Sequence, residues 1–308
     1  MKSVHNLVIF IFTLLAISSA QASDALETHK ISHNVYAIVG SMDNRTPENL
    51  GNNATFGFII TKQGVVLIDS GATTKGAMQL HDTIKKITNK PIIMVINTGG
   101  QDHRWLGNSY FKQLGAKIIS STAAVVDQKA RTQDQLFMLG NLVGNDGLDG
   151  TRAVYADSTF DTTLEFTLGD TVFKLQHAGQ AHTPGDSFVW LPRQKIMFTG
   201  DIVYTERMLG IGQQSNSRAW ISVFEAMASY KPKHLIPGHG KPTSLPTARK
   251  DTYDYLVFLR HSVYEFMDKG GDISDIRKID QSKYMYLKNF DSLAGRNAQK
   301  VYAELEWE

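Results

Sequence analysis

In the stretch INTGGQDHRWLGN, Ile96 to Asn108, an adjacent Asp102 and His103 stand where an apolar run gives way to a polar loop. Three further stretches repeat that placement: AHTPGD carries His182, FTGD carries Asp201 and PGHG carries His239. Imidazole nitrogens and carboxylate oxygens are ligands of borderline divalent metals, and the same groups move protons near neutral pH. The chain has no cysteine, which excludes thiolate ligands, catalytic thiols and disulfides, so any metal must be held by His, Asp or Glu. Taken singly, each stretch also has a plain structural reading, a polar side chain bonding within a turn.

The elements that would position these residues follow from apolar periodicity. VYAIV alternates as a strand, and NATFGFIITKQGVVLIDSG reads as a hairpin with a four-residue connection, Thr61 to Gly64. Ala77, Leu80, Ile84 and Ile87 then fall on one helical face, followed by the strand PIIMVIN. The same order recurs in SFVWLPRQKIMFTGD, a helix bearing Trp220, Val223, Phe224 and Met227, and KPKHLIPGHG. The two hairpins align without a gap, Gly57 to Gly71 on Ser187 to Asp201, which points to an internal duplication. Two such halves predict an α/β fold, a four-layer αββα sandwich packed sheet on sheet, whose strand-end loops bring the four stretches together. Between the halves, STAAVVDQKARTQDQLFML has helical character and GNLVGNDGLDGT reads as a glycine-rich loop bordering a site mouth. Leu256, Leu259, Val263 and Phe266 predict a helix ending at Gly270-Gly271, and a last helix is expected from about Ser292 to Glu304.

In this order the motifs resemble those of the metallo-β-lactamase superfamily of metal-dependent hydrolases, over roughly residues 30 to 245. Helices from about residue 246 are compatible with members that carry a C-terminal helical extension. Against the family's HxHxDH loop this chain reads TGGQDH: Thr98 and Gly100 stand where the family has its first two histidines, while Asp102 and His103 remain. The resemblance therefore implies a depleted first metal site and a second one built from Asp102, His103, Asp201 and His239. His182 becomes a weak ligand with a polar catalytic role, alongside Asp102 orienting water. The expected cofactor is one Zn2+ per chain, with Fe2+ equally suited to histidine and carboxylate ligands. Hydrolysis of an ester, thioester, amide or lactam bond in a small molecule is the activity the family implies. A redox enzyme using iron, and a catalytically inactive binding or accessory protein, stay open beside it.

Other residues have defined expectations. Thr98 and Gln101, by their positions in the loop, should face the site and hold a water or a substrate oxygen. In YTERMLGIG, Arg207 is placed to bind a substrate carboxylate, with Met208, Leu209 and Ile211 as an apolar wall. Asp69 reads as a residue bonding loop amides, Trp105 as core, and His177 as a strand-end histidine near His182. The N-terminus has the form of a secretory signal over residues 1–22: Lys2, the apolar run Leu7 to Ile17, and AQA at Ala20 to Ala22. A mature domain of residues 23–308, periplasmic or secreted and without integral membrane association, is the consequence. With 32 basic and 30 acidic residues, a net charge of +2 and no basic cluster interleaved with aromatics, a small-molecule substrate is expected and nucleic acid is not. Oligomeric state does not follow from the sequence.

Overall fold

A computed structural model describes residues 26–308, so the predicted signal segment lies outside the described residues. The first sheet has seven strands in sequence order: β1 (Glu27–Ser32), β2 (Val35–Val39), β3 (Thr55–Ile60), β4 (Val65–Ile68), β5 (Ile92–Asn97), β6 (Lys117–Ser121) and β7 (Ser158–Phe160). Its first four strands are antiparallel and β4 to β7 are parallel. The second sheet comprises β8 (Thr163–Leu168), β9 (Thr171–Gln176), β10 (Phe188–Leu191), β11 (Ile196–Phe198) and β12 (His234–Ile236), with only the β11–β12 pair parallel. Helices α1 (Thr74–Lys85), α2 (Asp102–Trp105), α3 (Asn108–Gln113) and α4 (Thr122–Leu148) connect the parallel strands β4 to β7 of the first sheet. Then come α5 (Ser217–Ala228), α6 (Leu245–Ala248), α7 (Asp254–Asp268) and α8 (Phe290–Leu305).

Period-two alternation builds the layers. On β4, Val66 and Ile68 point into a core shared with Val189 and Leu191 of β10 and Phe198 of β11, whereas Val65 and Leu67 pack beneath Ala77, Leu80 and Ile84 of α1. On the other side, Phe188, Trp190 and Met197 pack under Trp220, Phe224 and Met227 of α5 and the C-terminal helices. The result is the expected αββα sandwich. The repeated order is also present: β3–β4–α1–β5 and β10–β11–α5–β12 are each an antiparallel hairpin, a helix and a returning parallel strand. Between the sheets, a Cβ on Gly57 would lie 2.1 Å from the Phe198 ring, so the hairpins approach closely because residue 57 has no side chain.

Two expectations need correction. GNLVGNDGLDGT is largely helical: α4 runs to Leu148, broken at Gly144 (φ 74°, ψ 167°). Leu139 and Val143, one helical turn apart, are buried against Trp105 and Leu106 and carry the helix past the glycines. Met208, Leu209 and Ile211 do not form a substrate wall. They are buried in the core under the C-terminal helices, where Asn297 of α8 bonds the Leu209 carbonyl and the Ile211 amide. Among the described residues no helix is long and apolar enough to cross a membrane.

Candidate metal centre

The parallel strands end at one edge of the sandwich. From the ends of β5, β11 and β12 the chain delivers His103, Asp201 and His239, whose ligand atoms lie within 4.8 Å of one another and are buried. His103 Nε2 stands 3.2 Å from Asp201 Oδ2, and His239 Nε2 stands 3.2 Å from Asp201 Oδ1. Arg104, fully buried, holds Asp201 in place with Nε at 3.2 Å from Oδ2 and a second nitrogen at 2.7 Å from Oδ1. The same guanidinium reaches Asp69 at 2.9 Å and the carbonyls of Thr55 and Gly238 at 3.1 and 2.9 Å. Burial works against ionisation of Asp201, but Arg104 and the two histidines outweigh it and hold the carboxyl well below its ordinary range.

His239 gives the clearest test of whether a cation fits. Its Nδ1 lies 2.8 Å from the Asn53 carbonyl, an acceptor, and 3.1 Å from an Arg207 nitrogen, a donor; the closer contact assigns the ring proton to Nδ1 and the lone pair to Nε2. Burial first, and then the Arg207 charge, push this histidine well below its usual range, so it is neutral. A neutral imidazole lone pair therefore faces a carboxylate oxygen at 3.2 Å, an arrangement that a positive ion between them would resolve. Asp201 also retains room: Arg104 and the Tyr204 hydroxyl take two directions on Oδ1, while Oδ2 receives Arg104 and faces His103. Two imidazoles and one carboxylate suit zinc or ferrous iron, and the residues fit the ion that the chemistry implies.

The expected ligands are not all assembled. Asp102 and His103 begin α2, but the Asp102 carboxylate turns to Arg45, which also touches His103 Nδ1. Burial alone would raise Asp102; Arg45 and His103 more than offset it and keep the carboxylate ionised. His182 stands apart from the three-residue cluster with Nδ1 2.9 Å from the Gly210 carbonyl, which leaves Nε2 as its basic nitrogen. Burial lowers its pKa, so it is neutral. His177 is engaged with the Asp186 carbonyl.

The first metal position is filled by protein. Thr98 does not face the cleft; it is fully buried and donates its amide (2.7 Å) and hydroxyl (2.8 Å) to Asp69, which does bond a loop amide as expected. A Cβ on Gly100 would lie 2.0 Å from Asp127 Oδ2, and Gln135 and Arg131 of α4 close on the Gly100 carbonyl at 2.8 and 3.3 Å. Arg207 is also buried, 3.1 Å from His239 Nδ1, so it braces the cluster and is not positioned to receive a substrate carboxylate. Trp105 is core, stacked on Tyr155. Gln101 does line a cleft of about 410 Å³ together with Arg45, Asp102, Met138, Leu142 and His182; it meets the cluster through Arg45 and Asp102, while His103, Asp201 and His239 do not line it. Arg45 and Arg104 were not anticipated. Proximity of Arg104 to the Asp-His pair was the only signal for it, and Arg45 had none.

Beneath Gly99 lies Asp186, whose carboxylate accepts from the Thr183 amide at 2.7 Å. Burial and the Asp201 charge push this carboxyl up to about 8. It thus keeps its proton in the fold at neutral pH, while the unfolded chain releases it above about 4, so its contribution declines as pH rises from about 4 to 8. Asp186→Asn should raise the melting temperature, with an advantage that grows between about pH 5 and 8 and vanishes near pH 4, read by thermal melts across that range.

Comparison with known proteins agrees with this geometry. The sequence model described as the metallo-beta-lactamase superfamily matches residues 51–239. A metallo-beta-lactamase type 2 from Elizabethkingia meningoseptica is 27% identical over 227 residues, 71% of this chain and 80% of its own. Metallo-beta-lactamase IND-1 from Chryseobacterium indologenes is 25% identical over 77% of this chain and 91% of its own. Among solved structures, a metallo-beta-lactamase from Pontibacter korlensis shares the fold with a TM-score of 0.60 at 22% identity, over 75% of this chain and 99% of its own. A stereoselective inverting sec-alkylsulfatase from Pseudomonas sp. shares it with a TM-score of 0.69 at 19% identity, over 91% of this chain but 50% of its own.

Proposed function

The chain belongs to the metallo-β-lactamase superfamily, and from that premise we propose that it is a hydrolase working with one metal ion, zinc, on an ester, thioester, amide or lactam bond of a small molecule. The observation that carries this reading is the convergence of His239 Nε2 and His103 Nε2 on the two oxygens of buried Asp201, each at 3.2 Å. His103, Asp201 and His239 would hold the ion, and Asp102 is the adjacent carboxylate. A bound divalent ion supplies Lewis acidity toward a water or a carbonyl oxygen.

The remaining work falls to the chain. Arg104 and Tyr204 fix Asp201, so the carboxylate is oriented before any substrate arrives. Ionised Asp102 lines the cleft as a hydrogen-bond acceptor able to orient a water, and neutral His182 offers Nε2 as a proton acceptor. Gln101 is placed for a substrate oxygen, and Met138 and Leu142 supply an apolar surface, the mixture typical of a small-molecule site. We place the mature protein in the periplasm or outside the cell, on the strength of Lys2, Leu7 to Ile17 and the AQA site, with no nucleic-acid partner. The His-Asp-His set favours a second reading, an iron-dependent redox enzyme, because two imidazoles and one carboxylate with open positions also suit ferrous iron.

Elemental analysis of protein purified without chelator, beside His239→Ala, tests the proposal. About one zinc per chain, lost in the variant, is expected. Iron in its place would support the redox reading, and no metal after incubation with either ion would leave a non-enzymatic binding protein.

A further inference from the structure

Arg45 lies on the segment between β2 and β3, and its guanidinium reaches over the cluster to Asp102 Oδ1 and His103 Nδ1. Arginine is a permanent donor, and at His103 Nδ1 it is closer than the acceptor Asp102 Oδ1 at 3.3 Å, so that nitrogen accepts and the ring proton stays on Nε2. That nitrogen faces Asp201 at 3.2 Å, where a metal ligand must instead present a lone pair. The same guanidinium neutralises Asp102, a carboxylate 3.3 Å from His103 Nδ1. Without Arg45, His103 could turn its proton to Nδ1, donate it to Asp102 and face Asp201 with a free lone pair, as His239 does through Asn53.

We infer that Arg45 is an internal competitor for the metal ion, which occupies Asp102 and His103 in the metal-free protein and must withdraw from them before the centre loads. This rests on the reading that His103, Asp201 and His239 form a metal centre. Arg45 is partly buried and incompletely engaged, its buried Nε having no partner. The competitor is held from outside the sandwich. Lys288 Nζ bonds Asp43 at 2.7 Å and Asn289 Nδ2 bonds the Met42 carbonyl at 3.1 Å, so the segment leading into α8 grips the stretch that carries Arg45. The C-terminal helical extension thereby bears on how readily the centre takes up its ion.

The test is metal affinity, not turnover. Full-length mature protein, stripped of metal, is titrated with zinc by calorimetry and with cobalt(II) by visible absorption, beside Arg45→Ala, Arg45→Gln and Arg45→Lys. Both neutral variants should bind each ion about tenfold more tightly than wild type, the scale on which groups contacting metal ligands act, with the lysine variant between them. Asn289→Ala, which loosens the loop without touching the centre, should shift affinity the same way to a smaller extent. Affinities for Arg45→Ala and Arg45→Gln equal to or weaker than wild type, in variants with unchanged circular dichroism and melting temperature, would overturn the inference and leave the metal centre standing. Absence of binding in every variant, or tight binding that survives His239→Ala in the Arg45→Ala background, would overturn the centre itself and the inference with it.

Discussion

Replacing Arg104 with alanine is expected to destabilise the fold by about 3–5 kcal/mol, a drop of the order of 10 °C in melting temperature. The size follows from what is left behind. Arg104 is fully buried and is the cation shared by Asp69 and Asp201, themselves fully buried, while it also satisfies the carbonyls of Thr55 and Gly238. Its removal leaves two buried carboxylates without their cation, each carrying a desolvation penalty that Thr98 and Tyr204 alone do not offset, and takes one donor from the carbonyls of Thr55 and Gly238. Asp69 is already raised by burial, against the pull of Arg104 and Thr98, so loss of the guanidinium should drive it toward the protonated form. Arg104→Lys should recover little, because an ammonium cannot present the fork that grips Asp201 through two nitrogens. Chemical denaturation of the metal-free protein checks this without interference from ligand binding, and a loss below about 1 kcal/mol would show that water reaches the carboxylates.

That arginine also marks the boundary of what the sequence discloses. Strands and helices were legible because burial on two faces writes period two into β4 and β10, and burial on one face writes helical spacing into Ala77, Leu80 and Ile84. The duplication was legible for the same reason, and it correctly places Asp201 and His239 beside the first half's loop. Side-chain direction was not. Thr98 sits in the loop as expected, yet Asp69 draws its hydroxyl inward. Asp102 is at the right position, yet its carboxylate is claimed by an arginine 57 residues away. Contacts between polar groups across such separations have no period, so no local pattern announces them. The misread stretch after α4's first half failed differently: glycine count outweighed the Leu139 and Val143 spacing, although tertiary burial carries a helix through such residues.

Reinstating histidine at position 100 is expected to cost stability and add no metal. The family's loop places an imidazole there, so Gly100→His looks like a restoration. The structure gives it no room, because the new Cβ alone would fall 2.0 Å from Asp127 Oδ2 and 3.0 Å from its Cγ. Asp127 cannot swing aside freely, since Arg131 Nε bonds it at 2.7 Å and the same arginine, with Gln135, fastens the Gly100 carbonyl to α4. Overpacking of this kind costs about 1–3 kcal/mol, and here it also disturbs the partly buried Asp127–Arg131 pair, so the upper end is expected. Gly100→His with Asp127→Ala should regain part of that loss, which thermal melts of the two variants will show. Neither should exceed one metal per chain by elemental analysis. Thr98 remains committed to Asp69, and a Cβ on Gly200 would lie 2.2 Å from the Thr98 hydroxyl, so the other vacated ligand position is equally closed. Two metals in either variant would mean that α4 yields to the imidazole and that the first site is latent. One metal, with the predicted loss of stability, would mean that helix packing has replaced the first site.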